Sequence, residues 1–375
     1  MNVLITGGAG FIGRHLISVL QAQGHTLTVV DNFSPQVHDA DSVAKFNSVF
    51  HGKLIKGDVR NREVWVEALD EQDAVVHLAA ETGTGQSMYE IQRYEAVNMG
   101  GTALLLDCLV NQKRRTVSKL VVASSRAVYG EGAYMCQEHG LVQPTGRLEV
   151  DLTAGNFEPR CPHCSRFATA TLTGESTTFS PTSFYGLTKQ VQEQMVLMYG
   201  RVLGLSAVAL RYQNVFGPGQ SLSNPYTGIL AIFSNLAREN RPIQIFEDGL
   251  ESRDFVYIDD VVNATAACLA TSVSGVHALN IGSGVPTNVL QVARAVIAYF
   301  KSASTVSVTG AFRKGDIRHN VANLESAARV LGFTPSFNFD QGLNHFLDWA
   351  AASSVGKDAY QASLQEMRDK GLLVG

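Results

Sequence analysis

The chain has 375 residues, 45% hydrophobic and 17% charged, with a net charge of -4. That length suits one large α/β unit plus a smaller lobe, and the charge carries no basic footprint of a nucleic-acid binder. No apolar run reaches the roughly 18 residues of a membrane span, the five cysteines do not suggest a disulfide scaffold, and the first strand starts too close to Met1 for a signal peptide. A cytoplasmic, reducing compartment is therefore expected.

Residues 2–6 read as a buried parallel strand, followed by Gly7-Gly8-Ala9-Gly10-Phe11-Ile12-Gly13 and an apolar-periodic helix to about Gln23. Gly7 allows a tight turn, Gly10 lets the backbone approach a pyrophosphate, and Gly13 lets helix and strand pack closely. The N–H groups that open the helix at Phe11 and Ile12 then face phosphate. A glycine triplet alone is also a structural turn, but its place between strand and helix favours a dinucleotide site. The second strand, 26–31, ends at Asp31, with Asn32 beside it. An acid there accepts hydrogen bonds from a ribose and repels a 2′-phosphate, so NAD is expected rather than NADP. The plainer reading of Asp31 is a surface or capping aspartate.

A short strand at 53–56 leads to Gly57-Asp58-Val59, and a fourth at 73–80 ends in His77-Leu78-Ala79-Ala80. Ligands in such sheets bind beyond the strand ends, so Leu78, Ala79 and Ala80 are expected to line the cofactor, with His77 a packed histidine. Residues 86–113 read as one long helix containing Asn98. A fifth strand, 119–123, delivers Ser124 and Ser125. Tyr185 and Lys189 lie four apart, on one face of a helix running to about Leu203. A lysine ammonium beside a phenol lowers its pKa and makes a base near neutral pH. The same spacing also arises by chance on solvated faces.

Between Tyr129 and Tyr185 lies a long insertion with Cys136-Gln137-Glu138-His139 and Cys161-Pro162-His163-Cys164. Two pairs, each with two residues between, fit a zinc ribbon or knuckle. The insertion is poor in apolar residues, so metal would supply its stability. The alternative is an irregular loop with unligated cysteines.

Further on, 206–211 and 242–246 read as strands and 229–240 as a helix. Asp259 and Asp260 look like N-cap residues, and Asn280–Gly284 ends another strand. Residues past about Ala351 form a polar helical tail without evident chemistry. The glycine loop, Ser124-Ser125-Arg126-Ala127-Val128-Tyr129-Gly130, the Tyr185–Lys189 pair and Arg211-Tyr212-Gln213-Asn214-Val215-Phe216-Gly217-Pro218-Gly219-Gln220 together resemble the extended short-chain dehydrogenase/reductase superfamily. Within it they resemble the NAD-dependent nucleotide-sugar epimerase/dehydratase family, from Met1 to about Ala350.

That resemblance implies a doubly wound Rossmann sheet with a smaller substrate lobe and a Cys-rich insertion. It divides the chain into 1–132 (dinucleotide-binding core), 133–178 (insertion), 179–215 (core with the catalytic helix), 216–350 (mainly substrate lobe, interleaved with core around 254–282) and 351–375 (tail). Ser125, Tyr185 and Lys189 take the catalytic places. Asp58, with Val59, takes the adenine place, Ser124 is the structural neighbour at the cofactor, and Asn98 is an ordering residue there. Asn214 and Arg126 lie on the substrate side. Arg253 and Arg313, the latter with Asp316, match the diphosphate clamp, and Arg318 is a helper.

The family's dehydratases and decarboxylases carry acids where Arg126 and Ala127 stand, which speaks against those reactions. Gly85-Gln86-Ser87-Met88-Tyr89-Glu90, Ser223-Asn224-Pro225-Tyr226-Thr227-Gly228 and Phe246-Glu247-Asp248-Gly249 are similar to the dTDP-L-rhamnose 4-epimerase group, as is the insertion with paired cysteines. There His139 replaces one of four cysteines. The implied reaction moves a hydride from sugar C4 to NAD and returns it to the opposite face, and the implied assembly is a homodimer through two long helices. A UDP-hexose 4-epimerase is the first alternative. A 4-keto-sugar reductase and a non-catalytic NAD-binding protein are more distant ones.

Overall fold

The computed structural model describes all residues except 39, 223, 225–227 and 354–359. The first 125 residues alternate strand and helix, which forces parallel pairing. Seven parallel strands form the main sheet, in the order Val276–Ile281, Ser206–Tyr212, Lys119–Ser125, Ala74–His77, Asn2–Thr6, Thr26–Asp31, Lys53–Lys56. The order reverses between Asn2–Thr6 and Ala74–His77, and the crevice beyond such a switch point is where ligands bind.

Side chains alternate between two buried faces. Val3, Ile5, Ala74, Val76, Val121 and Val208 join the core beneath helices Phe11–Ala22 and Ile258–Ala267. Leu4, Val75, Leu120, Val122, Ala207 and Ala209 join the opposite core with residues of helices Arg62–Ala68, Gly101–Asn111 and Phe184–Leu203. Burial on both faces explains why these strands read as continuous apolar runs.

Two expectations are corrected here. The 86–113 region is not one helix: a short turn, Thr84–Ser87, is set apart from the helix beginning at Ile91. Gly83 at φ +118° and Glu90 at φ -104°, ψ 44° break the regular geometry. The helix then passes through a π segment, Glu95–Gly100, before Gly101–Asn111. Asp259 and Asp260 are also not caps. The helix is Ile258–Ala267 with Tyr257 before it, and the Asp260 carboxylate instead accepts the Ser336 and Phe337 N–H groups at 2.9 and 3.2 Å.

The smaller elements sit at the carboxyl edge of the sheet. Ser252–Tyr257 pairs with Asn214–Phe216, Pro286–Asn288 and His319–Asn320. Phe312–Arg313 pairs antiparallel with Leu373–Val374, so the tail is not purely helical. Tyr134–Cys136, Gly140–Val142 and Thr169–Ala170 make a separate three-stranded sheet within the insertion.

Beneath the active edge, Arg211 donates to the Glu193 carboxylate at 2.6–3.1 Å, to the Tyr129 hydroxyl at 2.7 Å and to the Glu175 carbonyl at 3.0 Å. Glu193 also accepts the Ser124 hydroxyl at 2.6 Å. Removing one member of a buried pair leaves an uncompensated charge. Arg211→Ala is therefore expected to destabilise the protein by about 3–5 kcal/mol in chemical denaturation. A loss below about 1 kcal/mol would show that water or a neighbour takes over the pairing.

Candidate active site

The glycine loop is built for close approach. Gly7 has φ +68°, and a Cβ there would lie 2.8 Å from the Ala79 nitrogen; one on Gly13 would lie 2.6 Å from the Gly7 oxygen. No side chain caps the Phe11–Ala22 helix, so the N–H groups of its first turn face the crevice without intrahelical partners. Asp31 closes the loop: its carboxylate accepts the Ala9 and Phe33 N–H groups at 3.0 and 2.8 Å. Asn32 donates to Asp58 at 3.2 Å. Two hydrogen bonds from Arg60 grip Asp58 and bring its carboxyl down to about 2. This cradle and acid fit a dinucleotide.

Leu78, Ala79 and Ala80 follow the fourth strand beside Gly7, with the Leu78 N–H on the Thr6 carbonyl. His77 is fully packed between the Thr6 and Thr102 hydroxyls, and burial, helped by Lys189, drives its pKa to about 3, so it stays neutral. Three residues expected at the cofactor have inward tasks. Val59 lies in the core, with its carbonyl on Trp65. The Ser124 hydroxyl serves Glu193. Asn98 ties down both backbone groups of Glu81 and the Thr188 hydroxyl.

The catalytic places converge where the Lys119–Ser125 strand meets the Phe184–Leu203 helix. Ser183 caps that helix through the Gly186 N–H, and the Ser87 hydroxyl accepts the Tyr185 N–H at 2.9 Å. Burial pushes the Tyr185 phenol up, while a hydrogen bond with Ser125 and the charge of Arg126 pull it back. Lys189 lies one turn along the same helix, and its ammonium donates to the Ala123 carbonyl at 2.8 Å and to Gln192 at 2.7 Å. Burial brings that ammonium to about 7. The cation that draws Tyr185 down here is Arg126, whose Nε donates to Asn214 at 2.7 Å.

Across the cleft, burial would raise Asp316, but Arg253, Arg313, Arg147 and Arg126 together hold it below its ordinary range. Arg253 bonds Asp316 at 2.9 Å and donates to the carbonyls of Ser252, Ile317 and Arg318. Arg313 stacks on Phe246, 4.7 Å from the ring centroid, with its Nε buried and unpaired. Arg126 and Arg313 form no ion pair among the described residues, though both lie within electrostatic reach of Asp316. Arg318 is held by Glu158, Glu247 and Asp248 and is a structural cation.

Gln86 bonds Gln36 and Glu90, and Gln220 packs against Gly228. Asn224 is buried, with its N–H on Ser221, while Ser223 and 225–227 of that stretch lie outside the described residues.

In the insertion, the ligand atoms of Cys136, His139, Cys161 and Cys164 lie within 4.8 Å of one another. Cys136 Sγ is 3.7 Å from both His139 Nδ1 and Cys164 Sγ, and Cys161 Sγ is 3.7 Å from His139 Nδ1. A zinc tetrahedron built from Zn–S and Zn–N bonds of about 2.3 and 2.05 Å has edges of about 3.8 and 3.6 Å. All five cysteines are free thiols. His163 lies outside the four-residue group, its ring 5.1 Å from that of His139.

The model of the NAD dependent epimerase/dehydratase family matches residues 3–149 and 164–282. The chain belongs to that family. A curated relative, the dTDP-L-rhamnose 4-epimerase of Burkholderia thailandensis, is 39% identical over 93% of this chain and 95% of that one. Among solved structures, MoeE5 in complex with UDP-glucuronic acid and NAD is 28% identical, with a TM-score of 0.73 over 94% of this chain and 100% of that one. The UDP-glucose 4-epimerase of Thermotoga maritima with UDP-glucose is 26% identical, with a TM-score of 0.74 over 94% and 99%.

The family match skips 150–163, the part of the insertion that carries Cys161. Two residues beside this epimerase-family site escaped sequence reasoning. Arg147 reaches from the insertion to Glu131 at 3.1 Å, Glu247 at 2.7 Å and the Asp316 carbonyl at 2.9 Å. Glu131 accepts the Arg318 N–H at 2.8 Å. No motif or spacing marks either one; only the meeting of insertion and lobe reveals them.

Proposed function

We propose that this family member is an NAD-dependent nucleotide-sugar 4-epimerase acting on dTDP-L-rhamnose to give dTDP-6-deoxy-L-talose. The observation that carries the reading is the buried Tyr185 phenol, drawn down by Ser125 and Arg126 where its helix meets the Lys119–Ser125 strand, with no acid at Arg126 or Ala127. The bound nicotinamide supplies a hydride acceptor that also returns the hydride. Tyr185 takes the proton from the sugar 4-hydroxyl and gives it back. Ser125 aligns that hydroxyl and shares the phenolic hydrogen bond. Arg126 stabilises the phenolate. Arg253 and Arg313 hold the diphosphate while the 4-keto sugar turns its other face. The sugar assignment rests on the relative's name; a UDP-hexose is the alternative.

Purified protein should convert dTDP-L-rhamnose to its C4 epimer by NMR without added reductant, and denaturation should release NAD(H). Tyr185→Phe should lower kcat by about three decades or more with NAD retained. Reaction with UDP-glucose alone would transfer the assignment to the alternative, and near-normal turnover by Tyr185→Phe would end the mechanism.

We also propose that Cys136, His139, Cys161 and Cys164 hold one structural zinc, closed to water and substrate. The five buried residues at the heart of the module include Cys136 and Cys161 themselves, so little apolar core remains to hold it. Metal analysis should find about one zinc per chain, and Cys161→Ser should lose it and expose 133–178 to protease. Less than about a tenth of an equivalent in the wild type would leave the cluster an ordinary thiol group.

The homodimer is proposed on the exposed Leu187, Met198 and Val202, which share one face of the Phe184–Leu203 helix, and on Ile91 of the neighbouring helix. Light scattering should give twice the chain mass, halved by Met198→Asp with Val202→Asp. A wild-type monomer would refute it. A cytoplasmic setting fits the free cysteines.

A further inference from the structure

The tail, without evident chemistry in sequence, is anchored on three sides. Tyr360, Leu364, Met367 and Leu373 belong to the main core. The Tyr360–Asp369 helix lies on the segment after Gly83: Met367 Sδ is 3.3 Å from where a Gly85 Cβ would stand, and the Tyr89 hydroxyl donates to Glu366 at 3.0 Å. Lys370 sits 4.6 Å over the Tyr89 ring. The same segment carries Ser87, which receives the Tyr185 N–H.

On the other side, Leu373 pairs opposite Arg313, and the Lys314 N–H bonds the Leu372 carbonyl at 2.9 Å. Val374 packs with Phe312 and with Leu152 and Phe157 of the insertion. A two-residue strand pair is not stable by itself. The Arg313 strand is anchored ahead of it at Ala311, whose carbonyl accepts the Glu247 N–H at 2.8 Å, and the docked tail fixes its other side at Arg313 and Lys314. Its guanidinium stacks on Phe246 with Nε unpaired and lies within electrostatic reach of Asp316, so backbone position sets where that charge lies.

We propose that residues 360–374 are a positioning strap that sets the affinity for the nucleotide diphosphate by holding the Arg313 strand, while their helix supports the Ser87–Tyr185 contact. Leu373 is the positioning residue, and Arg313 is the group that touches the ligand. This rests on Arg313 being a diphosphate ligand, as proposed above.

The test is a double-mutant cycle on the NAD-loaded full chain, read as the calorimetric Kd for dTDP, or for UDP if the wild type binds it more tightly. Leu373→Asp should weaken binding at least tenfold with NAD content unchanged, as should Arg313→Ala. The double variant should bind within threefold of Arg313→Ala, because a displaced strand has no further arginine to lose. Multiplying losses, or wild-type affinity in Leu373→Asp, would overturn the strap while leaving the Arg313 reading intact. Wild-type affinity in Arg313→Ala would instead overturn that reading. If Leu373→Asp purifies without NAD, Leu373→Ala takes its place in the cycle with an expected threefold loss and the same non-additivity; a loss that multiplies with Arg313→Ala overturns the proposal.

Discussion

Glu193 and Arg211 carry opposite charges into the interior, 1% and 3% exposed. Neither is tolerable there without the other, so their pairing fixes where their backbones run. Glu193 belongs to the helix that carries Tyr185 and Lys189, and Arg211 to the strand beside the one ending in Ser125. Ser124 and Tyr129 complete the bonds on either side of Ser125 and Arg126. Ser125 and Tyr185 are thus held by a polar lock below them. The lock also explains the Ser124-Ser125 doublet: one hydroxyl bonds Glu193 in the interior and the next accepts the Ala127 N–H at the strand end.

The substrate side follows a different electrostatic logic. One carboxylate, Asp316, faces four guanidinium groups; Arg147 is also paired with Glu131 and Glu247, and Arg253 lies within electrostatic reach of Glu131 and Glu251. Arginine suits this crowding because its planar fork stays charged and can stack or bond in two directions. Arg313 stacks on Phe246, Arg253 bonds three carbonyls, and Arg126 leans on Asn214.

Much of this could be read from the chain because local pattern and global fold agree in the first half. The glycine loop, the Asp31 strand end and the Tyr185–Lys189 helix each depend on neighbours a few residues away, and each forms where spacing placed it. What escaped depends on distant segments. Arg147 gains meaning only when the insertion meets the Asp316 turn. Lys189 shares a helical face with Tyr185, yet its ammonium is drawn to the Ala123 carbonyl, which periodicity cannot foresee. The tail helix is polar outside, and its few apolar residues meet a core assembled from the rest of the chain.

The π segment at Glu95–Gly100 shifts the phase of the helix that continues through Gly101–Asn111. There the Gly101 N–H bonds the Ala96 carbonyl, five residues back. One extra residue is thereby wound into the turn, and every later side chain is rotated by about 100° relative to an uninterrupted α-helix. The apolar stripe before Asn98 and the stripe through Leu105, Leu106 and Leu109 are written in two phases. A relative lacking that extra residue would carry the same core face under a sequence shifted by one. Comparing this helix with one that lacks the extra residue would require a single-residue gap in the middle of an unbroken rod.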